Sequence, residues 1–254
     1  MTAELSPDMP DMRDAALAPL LLKLRARDVV SDEEAEVLRD AISGTIETPA
    51  GRPVIRAHTG LTHSTLLVEG IACRYKDLAD GQRQIMELHI AGDFIDLHGF
   101  LLKQLDHNVG SITDCRFALV PHDALRRISE TQPHLARLLW FSTLLDAAIH
   151  REKILSIGRR SALGRIAHLL CELKVRLGLV GEVDGDTYAL PLTQADIADA
   201  TGLTSVHVNR MLRKLRDDNI LTFRSGRVTI HDWERLKKIA EFDPTYLHLE
   251  RRPR

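Results

Sequence analysis

A chain of 254 residues, 44% hydrophobic and 28% charged, has an ordinary globular composition and room for two modest domains. The formal net charge of −2 excludes a protein that coats nucleic acid over its whole surface, but not a local basic face. No run approaches the ~18 apolar residues of a membrane span. No basic segment leads into an apolar core as in a secretory signal, so a cytoplasmic protein without a membrane partner is expected. Cys73, Cys115 and Cys171 form no CxxC pair and give an odd total, which argues against a disulfide framework.

The first thirty residues hold several prolines and little apolar clustering until Leu20–Leu24, and are expected to begin as a loose arm. Ser31 followed by Glu34 is a capping-box signature, and Ala35, Val37, Leu38 and Ile42 continue it at helical spacing. From Gly44 to Ala118 the pattern changes to short runs: Pro53-Val-Ile-Arg, Leu66-Leu-Val-Glu, Ile71-Ala-Cys-Arg-Tyr and Gln84-Ile-Met-Glu-Leu-His. Gly and Asp turns separate them, and Asp80-Gly81 suits a hairpin because glycine accepts positive φ. Such strands suggest a small barrel or sandwich.

A short helix is expected over Asp123–Ser129, then a long one from Pro133 to about Ile157 with no internal Gly or Pro. A helix of this length is about twice the globular mean, and its apolar residues cover more than one side. A buried core helix is the bland reading. A helix that packs on its own domain and on a second copy accounts better for the extra apolar side. Leu138, Ser142, Leu145 and Ile149 are the expected dimer contacts, although other stripes compete. Gly158-Arg-Arg160 reads as a hinge, and Ser161–Leu177 as the next helix.

The most informative stretch is Leu192–Leu215. Thr193 can cap a short helix, with Asp196 as the capping-box acid and Ile197 and Ala198 facing inward. Gly202 permits a sharp turn, and Leu203 plugs the space between the helices. Thr204 caps a second helix whose inward residues are Val208, Leu212 and Leu215. This is a helix-turn-helix, and strands on either side of Ser225-Gly226 make a wing. A helix fits the major groove, with its early residues at base edges and flanking cations on phosphates. Ser205, Val206, Asn209 and Arg210 are the expected base readers, with Arg210 suited to the O6 and N7 of guanine. Thr193, Thr204, His207, Arg213, Arg224 and Arg227 are expected on the DNA backbone. Between Thr204 and Arg227, Arg210, Arg213, Lys214, Arg216, Arg224 and Arg227 outnumber Asp217 and Asp218.

These stretches resemble the Crp/Fnr family of bacterial transcription regulators over nearly the whole chain. Leu66–Lys76 and Ala91-Gly-Asp-Phe-Ile95 look like its effector-domain strands and turn. Gly164-Arg-Ile-Ala167 looks like the helix after the hinge, and Leu192–Leu215 like its recognition unit. The resemblance implies an α+β fold: an N-terminal antiparallel β-roll, a long dimerisation helix and a C-terminal winged helix-turn-helix. The expected parts are an arm and helix over 1–43, the β-roll over 44–130, the dimerisation helix over 131–157 and the DNA-binding domain over 158–254. The implied partners are a palindromic double-stranded DNA site, a second copy of the chain and, for an activator, RNA polymerase.

Relatives that bind cyclic AMP hold the ribose with Glu and the phosphate with an Arg-Ser pair. Aligned from Gly92, those positions carry Leu97, His107 and Asn108, so cyclic AMP is not expected. Three scattered cysteines are too few for the family's iron–sulfur cluster. No cofactor is expected; a haem or metal on some of the histidines His89, His98 and His107 is the minor alternative. An effector pocket, if one is used, falls on Asp96, His98, His107 and Asn108. Val206 stands where many members carry Glu, which leaves most of the operator sequence open. No nucleophile motif, phosphate-cradling loop or metal cluster marks an enzyme, and no catalytic residue is assigned. A β-roll ligand carrier would leave the recognition helix and wing unused.

Overall fold

The computed structural model describes residues 9–254, and its contacts divide the chain into two compact units. The first comprises residues up to Ala72, His89–Thr143 and Glu250–Arg254; the second comprises Cys73–Leu88 and Leu144–Leu249.

In the first unit, helices α1 (Met9–Arg25) and α2 (Asp32–Asp40) precede strands β1 (Gly44–Thr48), β2 (Pro53–Ile55) and β3 (His63–Glu69). The expected loose arm is corrected from Met9 onward, because α1 is a helix with Pro19 inside it; residues 1–8 lie outside the described residues. Ala16, Leu17, Leu20 and Leu24 are buried at helical spacing, and this burial outweighs the missing N–H of one proline. Ser31 caps α2, accepting from the Glu34 N–H while the Glu34 carboxylate accepts from the Ser31 N–H.

Strand β7 (Cys115–Pro121) lies between β1 and β3, antiparallel to both. Side chains alternate across such a sheet. Leu66, Val68, Ala118 and Val120 enter a core with α1, α2, α4 (His122–Thr131) and the start of α5 (Pro133–Arg159). Leu67 and Phe117 enter a second core with Ile55 of β2 and Val109 of its antiparallel partner β6 (Asn108–Ser111). Both faces of β3 are therefore buried, which explains its unbroken apolar run. Gly92 has φ +82°, and a Cβ there would lie 2.6 Å from the Pro19 carbonyl oxygen, so only glycine lets the turn meet α1 this closely. Lys23 of α1 adds a 2.6 Å ion pair to Asp93. A short helix, α3 (Gly99–Leu102), follows that turn.

The second unit begins with the hairpin of β4 (Ala72–Asp77, its first residue in the other unit) and β5 (Arg83–His89, its last residue likewise). Gly81 turns it at φ +83°. Arg74 is 2% exposed and forks between Glu87 at 2.8 Å and Asp146 of α5 at 2.9 Å, so its buried charge is fully paired. Helix α5 runs through Gly158 to Arg159. The break falls at Arg160-Ser161, at the end of the expected hinge Gly158-Arg-Arg160, since Arg160 N–H still bonds the Ser156 carbonyl. Ser161 caps α6 (Ala162–Gly178). Strands β8 (Val183–Asp184) and β9 (Thr187–Ala189), helices α7 (Gln194–Thr201) and α8 (Ser205–Asp217), strands β10 (Leu221–Arg224) and β11 (Arg227–Ile230), α9 (Trp233–Ala240) and a 3-10 turn over Pro244–Leu247 complete the unit. The sheet order is β10-β11-β9-β8, antiparallel throughout. No helix among the described residues is long and apolar enough to cross a membrane.

Candidate nucleic-acid interface

Local sequence rules build α7 and α8 directly. The Thr193 hydroxyl accepts from Asp196 N–H at 3.1 Å, and Asp196 Oδ2 accepts from Thr193 N–H at 2.9 Å, which closes the capping box. Gly202 ends α7 at φ +66°, a left-handed conformation that costs glycine little. Thr204 then caps α8 through His207 N–H. Ile197 and Ala198 of α7 are buried, as are Val208, Leu212 and Leu215 of α8. Burying that face leaves the opposite one open.

Ser205, Val206, Asn209 and Arg210 are all exposed, Val206 to 80%. Its isopropyl group stands in water on the first turn of α8. Lys214 pairs with Asp218 at 3.2 Å and Arg216 with Asp217 at 3.6 Å, so the two acids neutralise the far end of α8. Among the described residues Arg210, Arg213, Arg224 and Arg227 have no ion pair, and Arg213 only approaches Asn209 Oδ1 at 3.5 Å. Ser225 and Gly226 both have positive φ, as a tight two-residue hairpin requires. That turn places Arg224 directly across from Arg227. Like charges facing each other across a ladder repel, and an anion at the wing tip relieves that repulsion. Thr204 and Thr193 are exposed, His207 is half-buried, and the Thr193 hydroxyl is spent on Asp196 Oδ2 at 2.6 Å.

Three features escaped the sequence. The first is at α5, where Leu138 and Ile149 are 1% and 6% exposed. Two members of the expected dimer stripe are thus used inside the chain, while Ser142 and Leu145 are half-buried. The open apolar side chains are instead Trp140, Leu144, Ile154 and Leu155. The second is the pair β8 and β9, too short to show a pattern, which widen the wing into a four-stranded sheet. The third is Arg83, at the start of β5. Its Nε donates to Asp199 at 2.8 Å and a terminal nitrogen donates to Asp196 at 3.0 Å.

The residues aligned with a ligand pocket lie in the first unit. Asp96 is fully buried, and its carboxylate accepts from Thr65 N–H at 2.5 Å and the Thr65 hydroxyl at 3.1 Å. Asn108 Oδ1 accepts from Ala57 N–H at 3.0 Å. Leu97 is 7% exposed in the core. His98 and His107 stack with ring centroids 5.5 Å apart, and His107 Nδ1 lies 2.8 Å from Asp106. Cys73, Cys115 and Cys171 are buried and in no disulfide; burial raises Cys115 and pushes Cys171 up to about 12. Among the described residues no group of three or more His, Cys, Asp or Glu side chains is placed to hold a metal ion.

Comparison with known proteins agrees with this architecture. Residues 164–239 match the family model of the Crp-like helix-turn-helix domain, and 45–132 that of the cyclic nucleotide-binding domain. The chain is 29% identical to the nitrogen fixation regulation protein FixK of Bradyrhizobium diazoefficiens, over 85% of this chain and 91% of that one. It is 33% identical to the transcriptional activatory protein AadR of Rhodopseudomonas palustris, over 68% of this chain and 72% of that one. The solved structure of FixK2 from Bradyrhizobium japonicum superposes with a TM-score of 0.68 at 25% identity, covering 77% of this chain and 96% of that one. Two domain types matched in order, and a relative at this identity over most of its length, decide the assignment: the chain belongs to the Crp/Fnr family and is a DNA-binding transcription regulator.

Proposed function

We propose that the protein acts as a homodimer on a two-fold symmetric DNA site, with α8 of each copy in the major groove of one half-site. The observation that carries this reading is the open face of α8, where Val206 and Arg210 stand exposed, Arg210 with no ion pair among the described residues, beside a wing tipped by two arginines. Arg210 donates two parallel hydrogen bonds to a guanine edge, and Val206 packs on a thymine methyl. Ser205 and Asn209 reach neighbouring base edges, and Arg213, Arg224, Arg227, Thr204 and His207 hold phosphates. The exposed stripe Trp140, Leu144, Ile154 and Leu155 on α5 pairs the two copies. Cytoplasmic residence follows from a DNA target.

A cyclic nucleotide does not fit this chain's residues. Leu97 cannot accept from a ribose hydroxyl, Asn108 is already bonded to Ala57, and no arginine fork stands at positions 107 and 108. Control by another effector in the first unit, or by expression level alone, remains as the regulatory reading, with no haem or metal assigned. AadR is named an activatory protein, which supports activation, with RNA polymerase as the further partner.

The test is fluorescence anisotropy on the duplex that the protein enriches from a random pool, and on its base-substituted versions. Arg210→Ala should relax preference at one guanine per half-site, worth about 1–3 kcal/mol. Arg224→Ala should weaken every sequence alike and make the salt dependence shallower. An identical, uniform loss from both variants contradicts the assignment.

A further inference from the structure

The recognition unit is fastened to a hairpin far away in the sequence. The tip between β4 and β5 is stiffened from within: Leu78 N–H bonds the Gln82 carbonyl at 2.7 Å, and Asp80 accepts from both Gln82 N–H and its side-chain amide. Directly after that tip, the guanidinium of Arg83 spans two carboxylates on one face of α7, Asp196 and Asp199, one helical turn apart. The Arg83 side chain is 33% exposed, Asp196 14% and Asp199 28%, so solvent screens the fork only in part. Gln84 adds a 2.6 Å bond from its amide to the Asp199 carbonyl. Asp196 has two jobs: Oδ2 closes the capping box with Thr193, and Oδ1 receives Arg83.

We infer that Arg83 is a positioning residue for DNA reading. It touches α7, and α7 is joined to α8 by a turn of three residues, so the angle at which α8 is presented depends on how α7 is held. Reading base edges demands placement to about half an ångström and 10–20°. Phosphate contacts, made by long cationic side chains, tolerate far more. The fork also leaves the reading face open, since Ser205, Val206, Asn209 and Arg210 are exposed while it is made. Arg83 therefore holds α8 ready rather than covering it. Its contribution falls on specificity, the affinity for the preferred site relative to random DNA.

This inference rests on α8 being the reading helix, and the experiment separates the two. The full-length wild type is used to enrich a preferred duplex from a random pool. Arg83→Ala, Asp199→Ala and the double variant are then titrated by anisotropy with that duplex and with random DNA. Arg83→Ala should lose about tenfold in affinity for the preferred duplex and Asp199→Ala less, since Arg83 keeps Asp196; both should keep the random-DNA affinity and salt slope, and the double should lose no more than Arg83→Ala alone. Arg83→Lys keeps the charge without the fork and should fall between wild type and Arg83→Ala; it decides the matter if Arg83→Ala fails to fold. Unchanged or tighter binding to the preferred duplex, or losses that simply add, overturns the positioning role. An equal loss on random DNA with a shallower salt slope makes Arg83 a phosphate contact instead, and overturns it too. If the wild type enriches no duplex at all, the reading of α8 itself fails.

Discussion

Arg210 and Arg83 have the same side chain, and their environments give them opposite work. Arg210 projects from α8 with no carboxylate within reach among the described residues, so its five donors are available to a base edge. Arg83 is clamped between two carboxylates and is consumed by the fold. Arg210 was legible because every rule that places it is local: a cap at Thr204, a turn at Gly202, an inward Val208. Arg83 was not, because its partners lie more than a hundred residues away and nothing near it in the chain marks them. His168 shows how burial sets protonation. Burial, reinforced by the positive charge of Arg160, lowers it from about 6.5 to about 4. Glu152, at 3.3 Å, and Glu172 oppose that shift, while Lys153 adds to it. His168 stacks on Tyr246 and meets Phe242 edge to face. The unfolded chain binds this proton below about pH 6.5 and the folded chain does not, so stability falls as pH drops from 6.5 towards 4. His168→Phe keeps the aromatic contacts and should flatten the melting temperature against pH in that window. A wild-type slope in the variant would show that His168 does not set the acid limb.

At the scale of elements, sequence rules worked where an element follows its own periodicity and failed where tertiary packing overrode it. The hairpins at Gly81 and Ser225-Gly226 and the caps at Ser31, Thr193 and Thr204 all lie where turn and cap chemistry put them. Helix α1 was hidden by Pro19, which local rules treat as a breaker and a buried apolar face overrides. Helix α5 was found with nearly its full length, but its apolar residues surround it, so periodicity offered several stripes with equal claim. Only burial separates them: Leu138 and Ile149 face inward, while Trp140, Leu144, Ile154 and Leu155 stand open at spacings that keep them on one side of the helix. Ile154→Glu should therefore give a folded monomer by sedimentation velocity, with the operator affinity lost and the melting profile nearly intact. Persistence of the dimer would place the pairing surface elsewhere.

For the whole molecule, the family assignment gives DNA binding as the output, and the open face of α8 with its wing is where we propose that base edges and phosphates are met. The first unit is less committed. Asp96 and Asn108, offered by the sequence to an effector, are bonded to Thr65 and Ala57, and Leu97 is core. Polar residues in a pocket position look alike in sequence whether they face a ligand or hold a strand, which is why the input side was illegible. The central claim, that α8 discriminates sequence, is tested most directly by the wild-type affinity for its enriched duplex against random DNA of equal length, measured at two salt concentrations. The account predicts a preference of at least about a thousandfold, with both affinities falling as salt rises. Equal affinity for the two duplexes would contradict it.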